Sequence, residues 1–215
     1  MSVDRAWVVG RLTLVPLTRF VAPFRVYGAE RVPLEGGAVL AANHFSWIDP
    51  PMLGAASPRV VYFMAKMEAY RVPGLQQLIK VFGGFPVRRG ESDRDAVRAM
   101  RGIVKEGNAL GLFVEGTRQL AGVPGPVQPG AAMVAINEDV PVIPAAIHGT
   151  QDWRLGNFHR AAVAWGEPIR FEGLPRGGRG YKEASHVIES KLRELWEWLV
   201  EMESLGFPRD ATPPR

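Results

Sequence analysis

Ala38-Val39-Leu40-Ala41-Ala42-Asn43-His44-Phe45-Ser46-Trp47-Ile48-Asp49-Pro50-Pro51 begins with five apolar residues in a row and ends on a pair of prolines. A strand with one wet face alternates apolar and polar side chains. An unbroken apolar run behind Gly36-Gly37 therefore reads as a strand buried on both faces, the situation of a parallel sheet covered by helices. Residues 60–64, 110–114, 142–147 and 161–165 read the same way, which gives five strands.

Helical signals lie between and after them. Residues 92–106 open on a capping-box pair, Ser92 and Asp95, and carry Val97, Met100, Ile103 and Val104 on one face before Gly107. A second helix is expected from Pro129-Gly130 onward. A third, over 182–205, repeats Ile188, Leu192, Leu195, Leu199 and Met202 at helical spacing. Strands alternating with helices predict an α/β fold, a layered αβα domain with a largely parallel central sheet, whose site lies beyond the carboxyl ends of the strands.

The chain has 215 residues, enough for one well-filled core, and we assign residues 29–205 to one domain and 206–215 to a flexible tail. It has no cysteine, which excludes disulfides, thiolate catalysis and cysteine-ligated zinc. A formal charge of +4 favours anionic partners. Residues 1–28 hold Arg5, Arg11, Arg19 and Arg25 against Asp4 alone, among Trp7, Phe20, Phe24 and aliphatics. Arg11, Pro16, Arg19 and Pro23 interrupt this stretch, which argues against a spanning helix of about 20 apolar residues. Two alternatives stand: short helices lying in a membrane interface, or a helix packed on the core. Arg11 also cuts short any secretory signal, so the expected location is the cytoplasmic side of the membrane, peripheral or monotopic.

Two residues in the opening stretch can carry chemistry. His44 leaves a strand end, and Asp49 follows five positions later. A carboxylate bonded to one ring nitrogen fixes the tautomer and leaves the other nitrogen to take a proton. Asp49 before Pro50 also suits a helix N-cap, and Ser46 with Asp49 fits a capping box. Further along, Gly83-Gly84-Phe85-Pro86-Val87-Arg88-Arg89 sets backbone that can approach a ligand beside guanidinium groups. Phe113-Val114-Glu115-Gly116-Thr117-Arg118 follows a buried strand with a carboxylate, a glycine, a hydroxyl and an arginine, and Val140-Pro141-Val142-Ile143-Pro144 would wall a pocket. Nucleotide-binding glycine loops and a Gly-x-Ser-x-Gly elbow are absent from the sequence. His148 at a strand end could line the cleft. Arg94, Arg98 and Arg101 fit a solvated helix face better than a nucleic-acid stripe, and Trp196 and Trp198 read as packing residues.

These blocks resemble the glycerolipid acyltransferases, specifically the 1-acylglycerol-3-phosphate acyltransferase group. Asn43, His44 and Asp49 match its Asn-His-x4-Asp block, and residues 83–89 its Gly-x-x-Pro-Val-x-Arg block. Residues 113–119 match Phe-Pro-Glu-Gly-Thr-Arg-Ser, and the Val-Pro-Val-Ile-Pro run matches the fourth block. Lys66-Met67-Glu68 resembles the Lys-x-Glu segment between the first two. Val114, Gln119 and Gln128 depart from the pattern, and they bear on which headgroup the acceptor carries.

The resemblance implies an enzyme that acylates the free sn-2 hydroxyl of 1-acyl-sn-glycerol-3-phosphate from an acyl thioester, acyl-CoA or acyl carrier protein, with no permanently bound cofactor and no metal. His44 would be the general base and Asp49 its orienter. Arg89, Arg118 and Lys66 would grip the acceptor phosphate, and Glu115 would position Arg118 or the glycerol, in a loop completed by Gly116 and Thr117. Backbone N–H groups near Gly83 and Gly84 would meet the oxyanion. Expected partners are a lysophospholipid, the acyl carrier and a membrane surface, not nucleic acid. Another lysolipid or glycolipid acceptor, or a non-catalytic lipid-binding module, are the alternatives.

Overall fold

A computed structural model describes residues 12, 15–66, 76, 84–87 and 93–215. Among these residues seven strands form one sheet: β1 (Phe24–Tyr27), β2 (Ala38–Ala42), β3 (Val61–Lys66), β4 (Gly84–Val87), β5 (Ala109–Phe113), β6 (Val142–His148) and β7 (Ala161–Trp165). Their order is β1-β7-β6-β2-β5-β3-β4. β2 is central and parallel to both neighbours, with Ala42 opposite Phe113 of β5 and Ala145 of β6. Only the β6–β7 pairing is antiparallel.

Four helices can be placed on this sheet: α1 (Asp49–Ala56), α2 (Asp93–Lys105), α3 (Gly130–Glu138) and α4 (Gly178–Ser204). Alternation along β2 sorts its side chains into the two layers. Ala38, Leu40 and Ala42 pack with Met52, Leu53 and Ala56 of α1, and with Trp153 and Trp165. Val39 and Ala41 pack with Met100 and Val104 of α2, Val134 and Ala135 of α3, and Ile188 and Leu192 of α4. All five residues of β2 are buried, as the opening run requires of a strand covered on both faces. The stripe on α4 continues through Leu195, Leu199 and Met202 onto β7 and Tyr27. The layered αβα architecture and its mainly parallel sheet are therefore as the sequence implies.

Some assignments need correction. β1 and β4 lie at the two sheet edges and were not expected as strands, so the sheet has seven strands rather than five. Because β1 is part of the sheet, the domain begins before residue 28 and not after it. Residues 15–21 are helical, with Thr18 and Ala22 buried and Leu17, Arg19 and Phe20 exposed, so this piece packs on the core along one side only. Residues 1–11 and Ser92 of the expected capping box lie outside the described residues. No described helix is long and apolar enough to cross a membrane.

The carboxyl-terminal stretch is not a frayed tail. Phe207 is buried, and the Tyr27 hydroxyl donates to Pro208 O at 2.9 Å. The Arg31 guanidinium donates to Pro213 O (2.9 Å) and Pro214 O (2.7 Å) while pairing with Glu167 at 3.1 Å.

Candidate active site

The chain leaves β2 at Asn43 and must turn back toward α1. Asn43 extends the sheet with its side chain: Nδ2 donates to Ile147 O (2.9 Å) and Oδ1 accepts from Ile147 N (2.7 Å). A side-chain amide carries the same donor and acceptor as a peptide, so it can copy a ladder pair after the backbone has turned away. His44 is thereby set at the carboxyl edge of the central strand.

Asp49 is completely buried and organises the turn. Its Oδ2 accepts from Phe45 N (2.7 Å) and Ser46 N (2.8 Å) and lies 2.8 Å from His44 Nδ1. An oxygen already receiving two N–H groups is acting as an acceptor, so Nδ1 carries the proton and Nε2 is the nitrogen with a lone pair to offer. The imidazole lies against the Phe113 ring, centroids 4.1 Å apart and planes 22° from parallel, which fixes its tilt. The N-cap of α1 is Ile48, with no side-chain cap, and Asp49 is its first helical residue. The carboxylate points back at the turn, so the expected capping of α1 by Asp49 is replaced by a bracket over residues 44–46.

Glu115 holds the other side of the same turn. Its Oε2 accepts from His44 N (2.7 Å) and its Oε1 from Gly125 N (2.9 Å). Gln119 N donates to His44 O at 2.7 Å. Both polar backbone groups of His44 are thus tied to the loop after β5. Gly116 turns that loop at φ 75°, a left-handed conformation that favours glycine. The expected pairing of Glu115 with Arg118 is not formed: the carboxylate positions the histidine backbone.

Burial pushes the Glu115 carboxyl from the ordinary 4.5 up to about 7; the N–H groups of Gly125 and His44 pull it down, and the charge of Asp49 adds to the rise. A group that holds its proton more tightly in the folded chain contributes most below its unfolded pKa, and that contribution is lost as pH climbs toward the folded one. Glu115→Gln does not titrate. Going from about pH 5 to pH 8, the wild type should therefore lose roughly 2 to 3 kcal/mol of stability relative to Glu115→Gln. Urea unfolding at several pH values measures the difference, and a flat difference would contradict the assigned burial effect.

Beside the turn opens a groove of about 370 Å³, lined by Phe45, Ser46 and Trp47 after β2, Arg118, Gln119 and Leu120 after β5, and a third segment after β6. That segment contributes Gln151, Trp153, Arg154 and Leu155. Trp153 packs edge-on to Trp47 with centroids 5.0 Å apart. The groove thus offers two guanidinium groups and two amides among apolar and aromatic walls, a lining suited to a molecule with an anionic head and a hydrocarbon part.

The model of the acyltransferase family, described as "Acyltransferase", matches residues 23–148. The chain belongs to the acyltransferase family. The 1-acyl-sn-glycerol-3-phosphate acyltransferase of Bacillus subtilis is 28% identical over 176 residues, covering 80% of this chain and 87% of that protein. A probable enzyme of the same name from Mycoplasma genitalium is 32% identical over 119 residues, or 52% of this chain and 44% of that one. The crystal structure of the 1-acyl-sn-glycerophosphate (LPA) acyltransferase PlsC from Thermotoga maritima superposes with a TM-score of 0.72 at 22% identity, over 92% of this chain and 80% of that one. This likeness concerns the fold.

The remaining assigned residues of this acyltransferase can be placed on the same frame. Lys66 ends β3 in register with Val87 at the end of β4, so both stand at the carboxyl edge of the sheet that His44 occupies. Two strand spacings separate β3 from β2, or about 10 Å. Gly84 opens β4 opposite Phe63, whereas Gly83 and Arg89 lie outside the described residues. Thr117 is exposed and donates to Arg118 O at 3.3 Å, and Arg118 is exposed on the groove.

The Val-Pro-Val-Ile-Pro run does not wall the groove. Val140 and Pro141 lead into β6 and Val142-Ile143-Pro144 form its buried start, while the lining comes from the loop that follows this strand. His148 does not face the cleft either: its Nε2 meets Glu203 Oε2 of α4 at 2.8 Å, and Trp196 packs on its ring. Arg98 pairs with Asp95, and Arg101 with Glu138 of α3. Sequence reasoning assigned no functional role to the amide splice of Asn43, the ring support of Phe113 or the 151–155 segment. The last carries a faint signal, a tryptophan beside an arginine just past a buried strand.

Proposed function

We propose that this acyltransferase moves a fatty acyl group from acyl-CoA or acyl carrier protein to the free sn-2 hydroxyl of 1-acyl-sn-glycerol-3-phosphate, giving phosphatidic acid on a membrane surface. The observation that carries the proposal is an imidazole held at Nδ1 by a buried carboxylate, in a turn whose next residues, Phe45 to Trp47, line a groove that combines guanidinium groups with apolar walls. The names of its relatives point to the same acceptor.

In the proposed reaction Nε2 of His44 takes the hydroxyl proton as the glycerol oxygen bonds to the thioester carbonyl carbon. The tetrahedral species collapses by breaking the carbon–sulfur bond. The departing thiolate then recovers the proton from Nε2, which returns the enzyme to its starting state. Asp49 keeps Nδ1 protonated throughout and lies against the transient imidazolium. Arg118 would meet the acceptor phosphate, with Lys66 and Arg89 as further candidate grips. Every step uses side chains of this chain and the two substrates.

A second acceptor class is favoured by one observation: Gln119, which departs from the family pattern, lines the groove beside Arg118. Val114 is buried in the core, and Gln128 is exposed and outside the groove lining, so both have less bearing. Mass spectrometry of products from mixed lysolipids and mixed thioesters separates the two cases. The proposal expects phosphatidic acid to dominate, and product from another lysolipid with none from lysophosphatidic acid would favour the second. Binding without turnover from any donor would mark a lipid-binding module. Arg118→Ala should raise KM for the phosphate-bearing acceptor roughly tenfold or more while kcat changes little, as expected for a lost charged hydrogen bond. An unchanged KM would remove Arg118 from the phosphate site.

A further inference from the structure

The loop that leaves β6 is exposed along much of its length but closely tied. Gly149 N donates to Gln151 Oε1 (2.9 Å), Trp153 N to Thr150 O (3.2 Å), Arg154 N to Asn157 Oδ1 (3.1 Å) and Asn157 Nδ2 to Asp152 O (2.9 Å). Trp153 is buried, and its Nε1 donates to Val21 O at 3.1 Å. Arg154 stands on this frame, with Nη1 donating to both Gln151 O (3.2 Å) and Trp153 O (2.8 Å). One nitrogen of the guanidinium is thereby fixed to the loop. Nε and Nη2 have no protein partner among the described residues, on a side chain that lines the groove.

Arg118 reaches the same groove from the loop after β5. Among the described residues neither arginine pairs with a carboxylate, and Asp152, two positions from Arg154, forms no ion pair either. No Asp or Glu lines the groove. The carboxylates of the neighbouring turn are already committed, Asp49 to the His44 ring and two N–H groups, and Glu115 to the N–H groups of His44 and Gly125. Two unpaired cations on one groove repel each other and favour the entry of negative charge. A phosphate monoester carries about −1.5 to −2 near neutral pH and presents three acceptor oxygens, enough to serve two guanidinium forks. A phosphodiester has a single charge and one free oxygen fewer, so it leaves one of the two arginines poorly served.

We propose that Arg154 is a second phosphate-binding residue of the groove, acting with Arg118 to select an acceptor headed by a phosphate monoester over one headed by a phosphodiester. The inference rests on the acylation of a lysolipid proposed above and adds the residue that reads the charge of its headgroup. Arg154 lies outside the four sequence blocks that resemble the family, on a loop placed by the fold of β6 and β7.

The test uses the full chain with lysophosphatidic acid and with lysophosphatidylglycerol of the same acyl length, in the same detergent micelles and with the same thioester. Arg154→Gln should raise KM for the monoester roughly tenfold and change kcat and the KM for the diester by less than about threefold, so the preference for the monoester falls. Arg154→Lys keeps the charge without the fork and should lie between the two. Arg98→Gln removes the same charge from an exposed position on α2, outside the groove, and should behave as the wild type. Calorimetric titration with glycerol 3-phosphate reads the headgroup alone, without lipid or donor, and Arg154→Gln should weaken it roughly tenfold.

An unchanged KM for the monoester, an equal rise for both lysolipids, or an equal effect of Arg98→Gln would overturn the proposal. Normal phosphatidic acid formation with glycerol 3-phosphate binding indifferent to Arg154 would sink the second phosphate contact and leave the acylation standing. A wild type that forms no phosphatidic acid but binds glycerol 3-phosphate through Arg154 would do the reverse, removing the acylation and supporting the contact.

Discussion

His44→Ala is expected to lower kcat by roughly a thousandfold, within the range seen when a positioned acid–base group is removed. The magnitude follows from how firmly the base is held. Asp49 fixes the tautomer, Phe113 the ring tilt, and Glu115 and Gln119 both polar backbone groups, so little catalytic geometry is left to form when substrate arrives. Alanine keeps the backbone clamps and removes only the proton acceptor. The effect should fall on kcat more than on KM, because in the proposed reaction the ring would touch the reacting hydroxyl while the groove would hold the rest of the acceptor. A variant that loses affinity at unchanged kcat would make His44 a binding residue and not the base.

Asp49→Asn is the second large effect, an expected drop of roughly a hundredfold in kcat. An amide oxygen can take the place of Oδ2 and still receive Phe45 N–H, Ser46 N–H and Nδ1–H. What it cannot supply is the negative charge beside an imidazolium. Its NH2 group would also occupy the place of Oδ1, which has no hydrogen-bond partner among the described residues. Asp49→Ala goes further, leaving two backbone N–H groups of the turn without their acceptor, at a cost of about 2 to 4 kcal/mol of stability. Measuring kcat and urea stability for both variants separates the roles. If Asn is fully active, the carboxylate matters for the turn alone.

The central strands were legible in the sequence because burial on both faces leaves a continuous apolar run, and β2 with its two neighbours has that property. β1 and β4 were missed because they are the sheet edges. Phe24-Arg25-Val26-Tyr27 carries a charge, and Gly84-Phe85-Pro86-Val87 gives two of its four residues to a glycine and a proline, so neither shows the continuous apolar run of a strand covered on both faces.

At the site, the pairing of His44 with Asp49 was legible from spacing and chemistry, but the aim of the carboxylate was not. Helix capping and turn bracketing use the same residue types three to five positions apart. Glu115 was expected to position Arg118 or the glycerol; its oxygens instead accept from backbone N–H groups 71 and 10 residues away, which leave no mark on side-chain identity. The tail was misjudged for the same reason: Arg31 recognises carbonyl oxygens, and every residue has one. The groove lining at 151–155 is contributed by a loop, whose place is set by the β6–β7 reversal and not by its own sequence.

The central claim is that His44, oriented by Asp49, takes the proton of a lysophosphatidic acid hydroxyl as that oxygen is acylated by the thioester. Time courses of phosphatidic acid formation by wild type and His44→Ala, on the same vesicles carrying lysophosphatidic acid and acyl-CoA or acyl carrier protein, test it most directly. The prediction is steady product from the wild type and roughly a thousandth of that rate from the variant. Equal rates from the two proteins, or no phosphatidic acid from the wild type with either donor, would contradict it.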